Sequence, residues 1–184
     1  MLEFAILGFL NYHSYTGYDL KKIFDTSIRH FWPADQSQIY RTLARLTGQG
    51  FASMEKVPQE DRPDRKVYHI TDSGREELLR WLAFPPPMDE PRSAPLIQVF
   101  FAGQLPDEEI LAKFKGFAEI MRAILAQYEQ VPDQIIPYQQ EITSPREHFF
   151  WLSTLDNGIR NMRANLEWAE NVIEQIKSGK VPQK

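Results

Sequence analysis

The sequence predicts a mainly α-helical protein that carries one β-hairpin and is organised in two units. Apolar residues recur at helical spacing along most of the 184 residues, and two short segments with partial period-2 alternation flank a charged loop. Proline is concentrated in FPPPMDEPRSAP, residues 84–95, where a helix cannot continue because each proline lacks an N–H group. We therefore predict an N-terminal domain over residues 1–84, a linker over residues 85–95 and a C-terminal helical domain over residues 96–184.

Three helices begin the first unit. The first covers about residues 2–10, and the second runs from Gly17 to about Ser27. The buried side of the second helix is predicted to carry Tyr18, Leu20, Ile23 and Phe24. A third helix, over about residues 36–48, can be capped by Asp35 or Ser37, because either side chain can accept hydrogen bonds from the unpaired N–H groups of the first turn.

A β-hairpin and a fourth helix complete this unit. Two strands are predicted at residues 51–57 and 66–70. The loop between them is charged and contains two prolines. Ser73 and Glu76 have the spacing of a capping box, which predicts a helix that continues through Leu82. The predicted order is helix, helix, helix, hairpin, helix.

The second unit is predicted to be entirely helical. After a short apolar segment, one helix runs from Asp107 to about Gln130 and a last helix from about Arg146 to Ser178. A helix of about 30 residues spans roughly 45 Å, more than one small domain easily covers, so its apolar seam predicts a partner chain. The residues predicted for this dimer interface are Leu152, Leu155, Ile159, Met162, Leu166, Ile173 and Ile176.

Composition excludes several classes of site. There are no cysteines, so neither disulfides nor cysteine-ligated zinc can form, and the four histidines lack metal-ligand spacing. No nucleophile elbow or glycine-rich phosphate loop is present, which argues against an enzyme. No apolar run reaches the roughly 20 residues that span a bilayer, and we expect a cytoplasmic protein without a cofactor, a metal or a membrane.

Four segments of the first unit together resemble the winged helix-turn-helix of the PadR family of transcriptional regulators. They are AILGFL at 5–10, TGYDLKKIF at 16–24, FWPADQSQIYRTLARLTGQGF at 31–51 and KVYHITDSGREEL at 66–78. The second unit resembles the longer subtype with a virulence-activator-like helical dimerisation region, through VFFAGQL and the long last helix. It departs from that subtype at PLIQ, residues 95–98, where the family often has a charged segment.

The resemblance implies a homodimer that binds double-stranded DNA at a pseudo-palindromic operator and acts as a repressor. The third helix would then be the recognition helix, with its N-terminal end in the major groove. Glutamine can pair with adenine, arginine with guanine, and serine with phosphate. The residues predicted to contact DNA from this helix are Gln36, Ser37, Tyr40, Arg41 and Arg45.

Further DNA contacts are predicted from the second helix and the hairpin. Lys22 and Tyr18 can position the protein on phosphates, although Tyr18 can equally belong to the core. Arg62, Arg65 and Lys66 can follow the DNA backbone or a minor groove, and the alternative for this loop is a solvated surface.

The aromatic residues of the last helix suggest a second kind of site. Phe149, Trp151 and Trp168 could stack on a planar effector, and the resemblance supports this because some PadR regulators respond to aromatic or lipophilic compounds. The alternative is that these rings only pack, as aromatic residues at helical spacing usually do.

Charge leaves a rival function open. Residues 1–82 carry 11 basic and 11 acidic side chains, and the remainder carries 10 and 14. Phosphate neutralisation normally supplies much of the affinity for DNA. A neutral first unit is therefore also compatible with a winged-helix protein-interaction module that does not bind DNA.

Overall fold

A computed structural model describes two compact units of the chain. The first includes residues 1–29, 31–58 and 64–85, and the second includes residues 93–133 and 146–182. For residues 132–139 the backbone alone is described. The described residues are 1–29, 31–58, 64–85, 93–139 and 144–182.

The first unit has the predicted order of helices and hairpin, with one additional short strand. Its elements are α1 (Leu2–Tyr12), β1 (Tyr15–Thr16), α2 (Gly17–Thr26), α3 (Gln36–Gly48), β2 (Ala52–Val57), β3 (Arg65–Ile70) and α4 (Asp72–Ala83). The strands form an antiparallel sheet in the order β1-β3-β2. Sequence patterning did not predict β1, because two residues are too few to show a period.

The core of the first unit lies between its helices and the inner face of the sheet. The most deeply buried large side chains come from α1, α2 and α3: Ile6, Leu7, Leu20, Phe24, Ile39, Leu43 and Leu46. Phe4 and Trp81 stack with their ring centroids 4.5 Å apart, which ties α1 to α4. The prediction that Tyr18 lies on the buried side of α2 was wrong, because this side chain is 65% exposed.

The N-terminal cap of α4 also differs from the prediction. Thr71, not Ser73, is the cap, and its hydroxyl accepts a hydrogen bond from the N–H of Gly74 at 3.1 Å. The Ser73 hydroxyl instead donates to the carbonyl oxygen of Gly50 at 2.9 Å. Ser73 therefore joins the start of α4 to the turn before β2, a long-range role that local spacing cannot reveal.

The second unit is helical throughout its described part. It contains α5 (Ala94–Phe100), a 3₁₀ turn (Ala102–Gln104), α6 (Asp107–Gln139) and α7 (Pro145–Lys177). The prediction ended α6 too early, at Gln130. An ion pair of 2.8 Å joins Arg163 to Glu129 and another joins Arg122 to Glu170, so α6 and α7 run antiparallel.

The apolar seam of α7 packs in part against its own chain. Ile110, Phe114 and Ala118 of α6 form a buried cluster with Ala169 and Ile176 of α7. In the predicted seam Leu155 and Ile176 are already buried within the chain itself, which leaves little of either side chain to contact a partner chain. The other predicted interface residues are half-buried, and their role in a dimer stays a prediction: Leu152, Ile159, Met162, Leu166 and Ile173.

Candidate nucleic-acid interface

The N-terminal end of α3 is held by a capping box. The Asp35 carboxylate accepts hydrogen bonds from the N–H of Gln38 and the hydroxyl of Ser37, both at 2.7 Å. In return the Gln38 side chain accepts from the N–H of Asp35 at 3.0 Å. These hydrogen bonds to Ser37 and Gln38 keep the pKa of Asp35 below its ordinary value. The first turn of α3 is thus fixed before any ligand arrives.

One face of α3 is free of the core. Ile39, Leu43 and Leu46 point inward and are fully buried. The five residues predicted from this helix to contact DNA are all exposed: Gln36, Ser37, Tyr40, Arg41 and Arg45. A helix with a buried aliphatic stripe and an exposed face of amide, hydroxyl and guanidinium groups can enter a major groove and present donors and acceptors to base edges.

Tyr40 is placed by a close approach between α3 and α2. A Cβ atom built on Gly17 would overlap the ring of Tyr40, so the first residue of α2 must be glycine for this ring to lie where it does. Burial raises the pKa of Tyr68 in β3, and the neighbouring hydroxyl of Tyr40 raises it further. Tyr40 therefore packs α3 closely against the start of α2, and 39% of its surface stays exposed.

The two arginines of α3 have different surroundings. Arg41 lies in the middle of the exposed face, and its Nε donates to the carbonyl oxygen of Ser37 at 3.4 Å. Arg45, one turn later, forms an ion pair of 3.2 Å with Glu3 of α1. Arg41 forms no ion pair with a carboxylate among the described residues, although its charge contributes to the lowered pKa of Asp35, so it is the better placed of the two for a phosphate or a base.

The two candidates on α2 are both exposed. Tyr18 and Lys22 lie on the solvent side, where phosphate contact is open to them. The neighbouring Lys21 instead pairs with Asp25. The α2 helix itself starts in a capping box, in which the Thr16 hydroxyl accepts from the N–H of Asp19 at 3.1 Å.

Arg65 at the start of β3 is tied to α2. Its guanidinium lies 2.7 Å from the Asp19 carboxylate, which the Thr16 hydroxyl also contacts at 2.7 Å. Burial raises the pKa of Asp19, but the hydrogen bonds donated by Thr16 and Arg65 outweigh it, and the net pKa is lowered. Arg65 therefore fastens the hairpin to α2 and is less free for phosphate than the sequence suggested. Arg62 lies outside the described residues.

The hairpin carries a pair of lysines, of which only Lys66 was predicted from the sequence to contact DNA. Lys66 is directly opposite Lys56 in the β2–β3 register, two residues beyond the Met54–Tyr68 pair. Cross-strand partners share a face, so both lysines lie on the side of the hairpin that carries Tyr68. Glu55 is on the opposite face, where its carboxylate lies 3.3 Å from His69. Lys56 was not among the predicted contacts, because its alignment with Lys66 depends on the register.

The second unit contains a separate cavity of about 310 Å³ that is lined by residues of α5, α6 and α7. Of the three residues predicted to bind an effector, Trp168 lines this cavity and packs edge-on against Phe114, with ring centroids 5.4 Å apart. Phe149 and Trp151 do not line it. They precede Trp168 by 17 or more positions on one helix, a distance of about 26 Å at 1.5 Å per residue. The three residues therefore do not form one site.

Two features are absent from the described residues. No group of three or more His, Asp or Glu side chains in them is placed to hold a metal ion. Within the same ranges no helix is both long enough and apolar enough to cross a membrane.

Known proteins match both units. The model of the Transcriptional regulator PadR-like family matches residues 6–80, and that of the Virulence activator alpha C-term family matches residues 91–177. The negative transcriptional regulator PadR of Bacillus subtilis (strain 168) is 27% identical over 177 residues, which cover 96% of this chain and 97% of that protein. A probable transcriptional regulator of Mycobacterium tuberculosis is 48% identical over 84 residues, 46% of this chain and 44% of that protein.

Solved structures of the Bacillus protein are similar over the whole chain. The crystal structure of B. subtilis PadR in complex with operator DNA has a TM-score of 0.82 at 27% identity and covers 95% of this chain and 98% of that one. The structure of the same protein in complex with p-coumaric acid has a TM-score of 0.75 at 26% identity and covers 96% of this chain and 95% of that one.

Proposed function

Because the chain belongs to the PadR-like family of transcriptional regulators, we propose that it is a sequence-specific DNA-binding repressor. It acts as a homodimer that places two winged helices on the half-sites of a pseudo-palindromic operator, spaced by about one helical turn or a multiple of it. It works in the cytoplasm and represses by occluding a promoter.

The exposed N-terminal face of α3 is the observation that carries this proposal. Gln36, Tyr40 and Arg41 are exposed side by side on a helix whose first turn is fixed by its own cap. Such a face gives hydrogen bonds to base edges without any rearrangement of the helix. The lysine pair Lys56–Lys66 adds phosphate contacts from the hairpin.

One relative supports the regulatory part of the proposal. The B. subtilis protein is a negative regulator, and it has been crystallised with p-coumaric acid as well as with operator DNA. We propose that a small organic effector similarly lowers the affinity of this chain for its operator. An effector can do so only if it binds one arrangement of the dimer better than another.

Fluorescence anisotropy with labelled DNA tests the DNA-binding function. The full chain is titrated with DNA from its own promoter and with a scrambled duplex, each at two salt concentrations. We expect tighter binding to the promoter and a steep loss of affinity with salt, because neutralised phosphates release their counterions. Equal binding to the promoter and the scrambled duplex, or no binding to either, followed by no enrichment in a genome-wide DNA selection, would support the protein-interaction module.

Variants of α3 test whether that helix is the recognition helix. Arg41→Ala is expected to weaken promoter binding by about 1–3 kcal/mol, the usual cost of a lost base contact. Arg45→Ala is expected to weaken it less, because Glu3 already holds the Arg45 side chain. Arg160→Ala, in the second unit, removes an exposed arginine paired with Asp156 and serves as the matched control. Unchanged promoter binding in both α3 variants would show that α3 is not the recognition helix.

A further inference from the structure

We propose that Glu3 and Asp19 are specificity-determining residues: each holds one arginine of the DNA-binding face, and together they weaken binding to unrelated DNA more than binding to the operator. The inference rests on the proposed function, because it concerns the same face of the first unit. It adds two acidic residues to the polar and cationic ones assigned there.

In the described part of the first unit, the ion pairs that lysines and arginines form with side-chain carboxylates are of two kinds. Some lie within one helix: Lys21–Asp25, Arg75–Asp72 and Arg80–Glu77. The others join different elements. Arg45 of α3 pairs with Glu3 of α1, and Arg65 of β3 pairs with Asp19 of α2. The pairs of the second kind therefore occupy two arginines that were predicted to contact DNA, whereas no cation of the first kind was.

The carboxylates are the more enclosed members of the two pairs between elements. The side chains of Glu3 and Asp19 are 29% and 35% exposed, whereas those of Arg45 and Arg65 are 53% and 51% exposed. Thr16 holds the Asp19 carboxylate by donating from its hydroxyl at 2.7 Å and from its N–H at 3.3 Å. A phosphate can therefore bind either arginine only by drawing it away from a carboxylate that stays in place.

Both carboxylates are ionised near neutral pH. Burial raises the pKa of Glu3, but hydrogen bonds from the α-amino group of Met1 and from the backbone of Glu3, together with the charge of Arg45, lower this pKa by more. The α-amino group lies 2.8 Å from the Glu3 oxygen that Arg45 also contacts. The net pKa of Asp19 is lowered as well. In the free protein each of the two arginines therefore already has a full counter-charge.

These two ion pairs weaken one kind of DNA complex more than the other. Binding to unrelated DNA depends almost entirely on phosphate neutralisation, and the protein can shift along such DNA until its cations meet phosphates. In an operator complex the base contacts of α3 fix the register, so an arginine reaches only the phosphates that this register brings near. Occupying Arg45 and Arg65 therefore costs the unrelated complex more. Specificity is a difference between two affinities, and weakening the competing complex raises it.

Fluorescence anisotropy of full-chain variants over a series of salt concentrations tests the inference. Glu3→Gln and Asp19→Asn each remove one negative charge and keep a side-chain oxygen that can accept hydrogen bonds. On the scrambled duplex we expect each variant to bind about two- to fivefold more tightly, since one surface ion pair no longer competes. The slope of log affinity against log salt should steepen by about 0.9, the value for one added phosphate contact. On promoter DNA the gain should be smaller, so the preference for the promoter falls.

Two controls separate release of an arginine from a general change in charge. Glu77→Gln removes the same charge from an ion pair with Arg80 that lies within α4, and it should leave the salt slope unchanged. Arg45→Ala in the Glu3→Gln background should cancel the gain, because no arginine is left to be released, and Arg65→Met in the Asp19→Asn background should do the same. Thermal melts establish that every variant folds.

Several outcomes would overturn the inference. An equal gain in Glu77→Gln would show that net charge alone is responsible. An unchanged salt slope, a gain that persists without the arginine, or an equal gain on promoter and scrambled DNA would each exclude the specificity role. The proposed function is decided separately, by the preference of wild type for its promoter. If wild type shows no preference, that function fails, while the slopes on the scrambled duplex still decide whether Glu3 and Asp19 withhold the two arginines from phosphate.

Discussion

The two units differ in how completely each buries its own apolar side chains. In the first unit, Leu20, Ile39 and Leu43 have no measurable exposure. In the described part of the second unit, only Ala118 and Ala169, which have small side chains, are less than 2% exposed. The first unit is therefore closed around its core and exposes polar groups on α3, whereas the second has apolar surface left for a partner chain or a ligand.

The difference also shows in the lengths and the ends of the helices. The helices of the first unit are short, and α2, α3 and α4 begin with side-chain caps. The second unit relies on two helices of 33 residues that pack lengthwise. Short capped helices are fixed by local hydrogen bonds, while long amphipathic helices depend on whatever covers their apolar faces.

Matched leucine variants would give the largest effect and test the comparison directly. Leu43→Ala removes a fully buried side chain of α3 and should lower the free energy of unfolding by about 2–5 kcal/mol. Leu166→Ala removes a half-buried side chain of α7 and should cost roughly 1 kcal/mol from packing within the chain. Urea denaturation followed by circular dichroism measures both.

The same leucine pair tests the predicted dimer interface. If Leu166 also contacts a partner chain, the cost of Leu166→Ala should be largest at high protein concentration and should fall at low concentration, where wild type and variant are both monomers, and sedimentation should show weaker dimers. A cost that does not depend on concentration would exclude Leu166 from the interface. Leu43→Ala should show no such dependence.

Two glycines compare the tightness of packing in the two units. A Cβ atom at Gly74 would overlap the carbonyl oxygen of Phe51, so Gly74→Ala should destabilise the first unit by about 1–3 kcal/mol. At Gly116 in α6 a Cβ atom would meet nothing within 4 Å, so Gly116→Ala should stabilise α6 by about 0.5–1 kcal/mol. Thermal melts of the two variants measure these changes. A destabilising Gly116→Ala would indicate that a second chain lies against that position.

The hairpin tests whether the polar surface of the first unit is functional. Lys56→Met and Lys66→Met should each reduce the slope of log affinity against log salt by about 0.9, the value for one lost phosphate contact. Arg65→Met should leave the slope unchanged, because Asp19 already holds that guanidinium. Anisotropy at several salt concentrations gives the slopes. If Arg65→Met alone reduced the slope, the phosphate contact would belong to Arg65 and not to the two lysines.

The smallest expected effect is the pH dependence of the Asp19–Arg65 contact. The folded chain lowers the pKa of Asp19, so the stability from its ionised form is complete above the unfolded pKa of about 3.9 and is lost as the pH falls through the folded value. Asp19→Asn should therefore cost at most about 1 kcal/mol near neutral pH, and the cost should shrink in acid. Urea curves at descending pH measure it. If the difference in stability between wild type and Asp19→Asn grew as the pH fell, it would contradict the lowered pKa of Asp19.

Local patterns were sufficient to predict most of the fold. The third helix was predicted over about residues 36–48, close to its observed bounds Gln36–Gly48, and Asp35 was one of its two proposed caps. The predicted fold class and family are both confirmed. Each of these features depends on residues within a few positions of one another, which is the range over which periodicity and capping operate.

Contacts between distant segments accounted for the errors and omissions. Tyr18 had the spacing of a core residue, but the packing of α2 turns it to solvent. Ser73 had the spacing of a cap, but it bonds to Gly50. Phe149, Trp151 and Trp168 looked like one aromatic cluster, although the length of α7 separates them.

The sequence by itself determined the helices, the hairpin and the division into two units, because these depend on local spacing and turn chemistry. The tertiary structure alone decided which cations are available. Arg45 forms an ion pair with Glu3 and Arg65 forms one with Asp19, whereas the strand register places Lys56 beside Lys66. The physical reason is that an ion pair or a strand pair joins residues far apart in the chain, so its geometry exists only after the elements have packed.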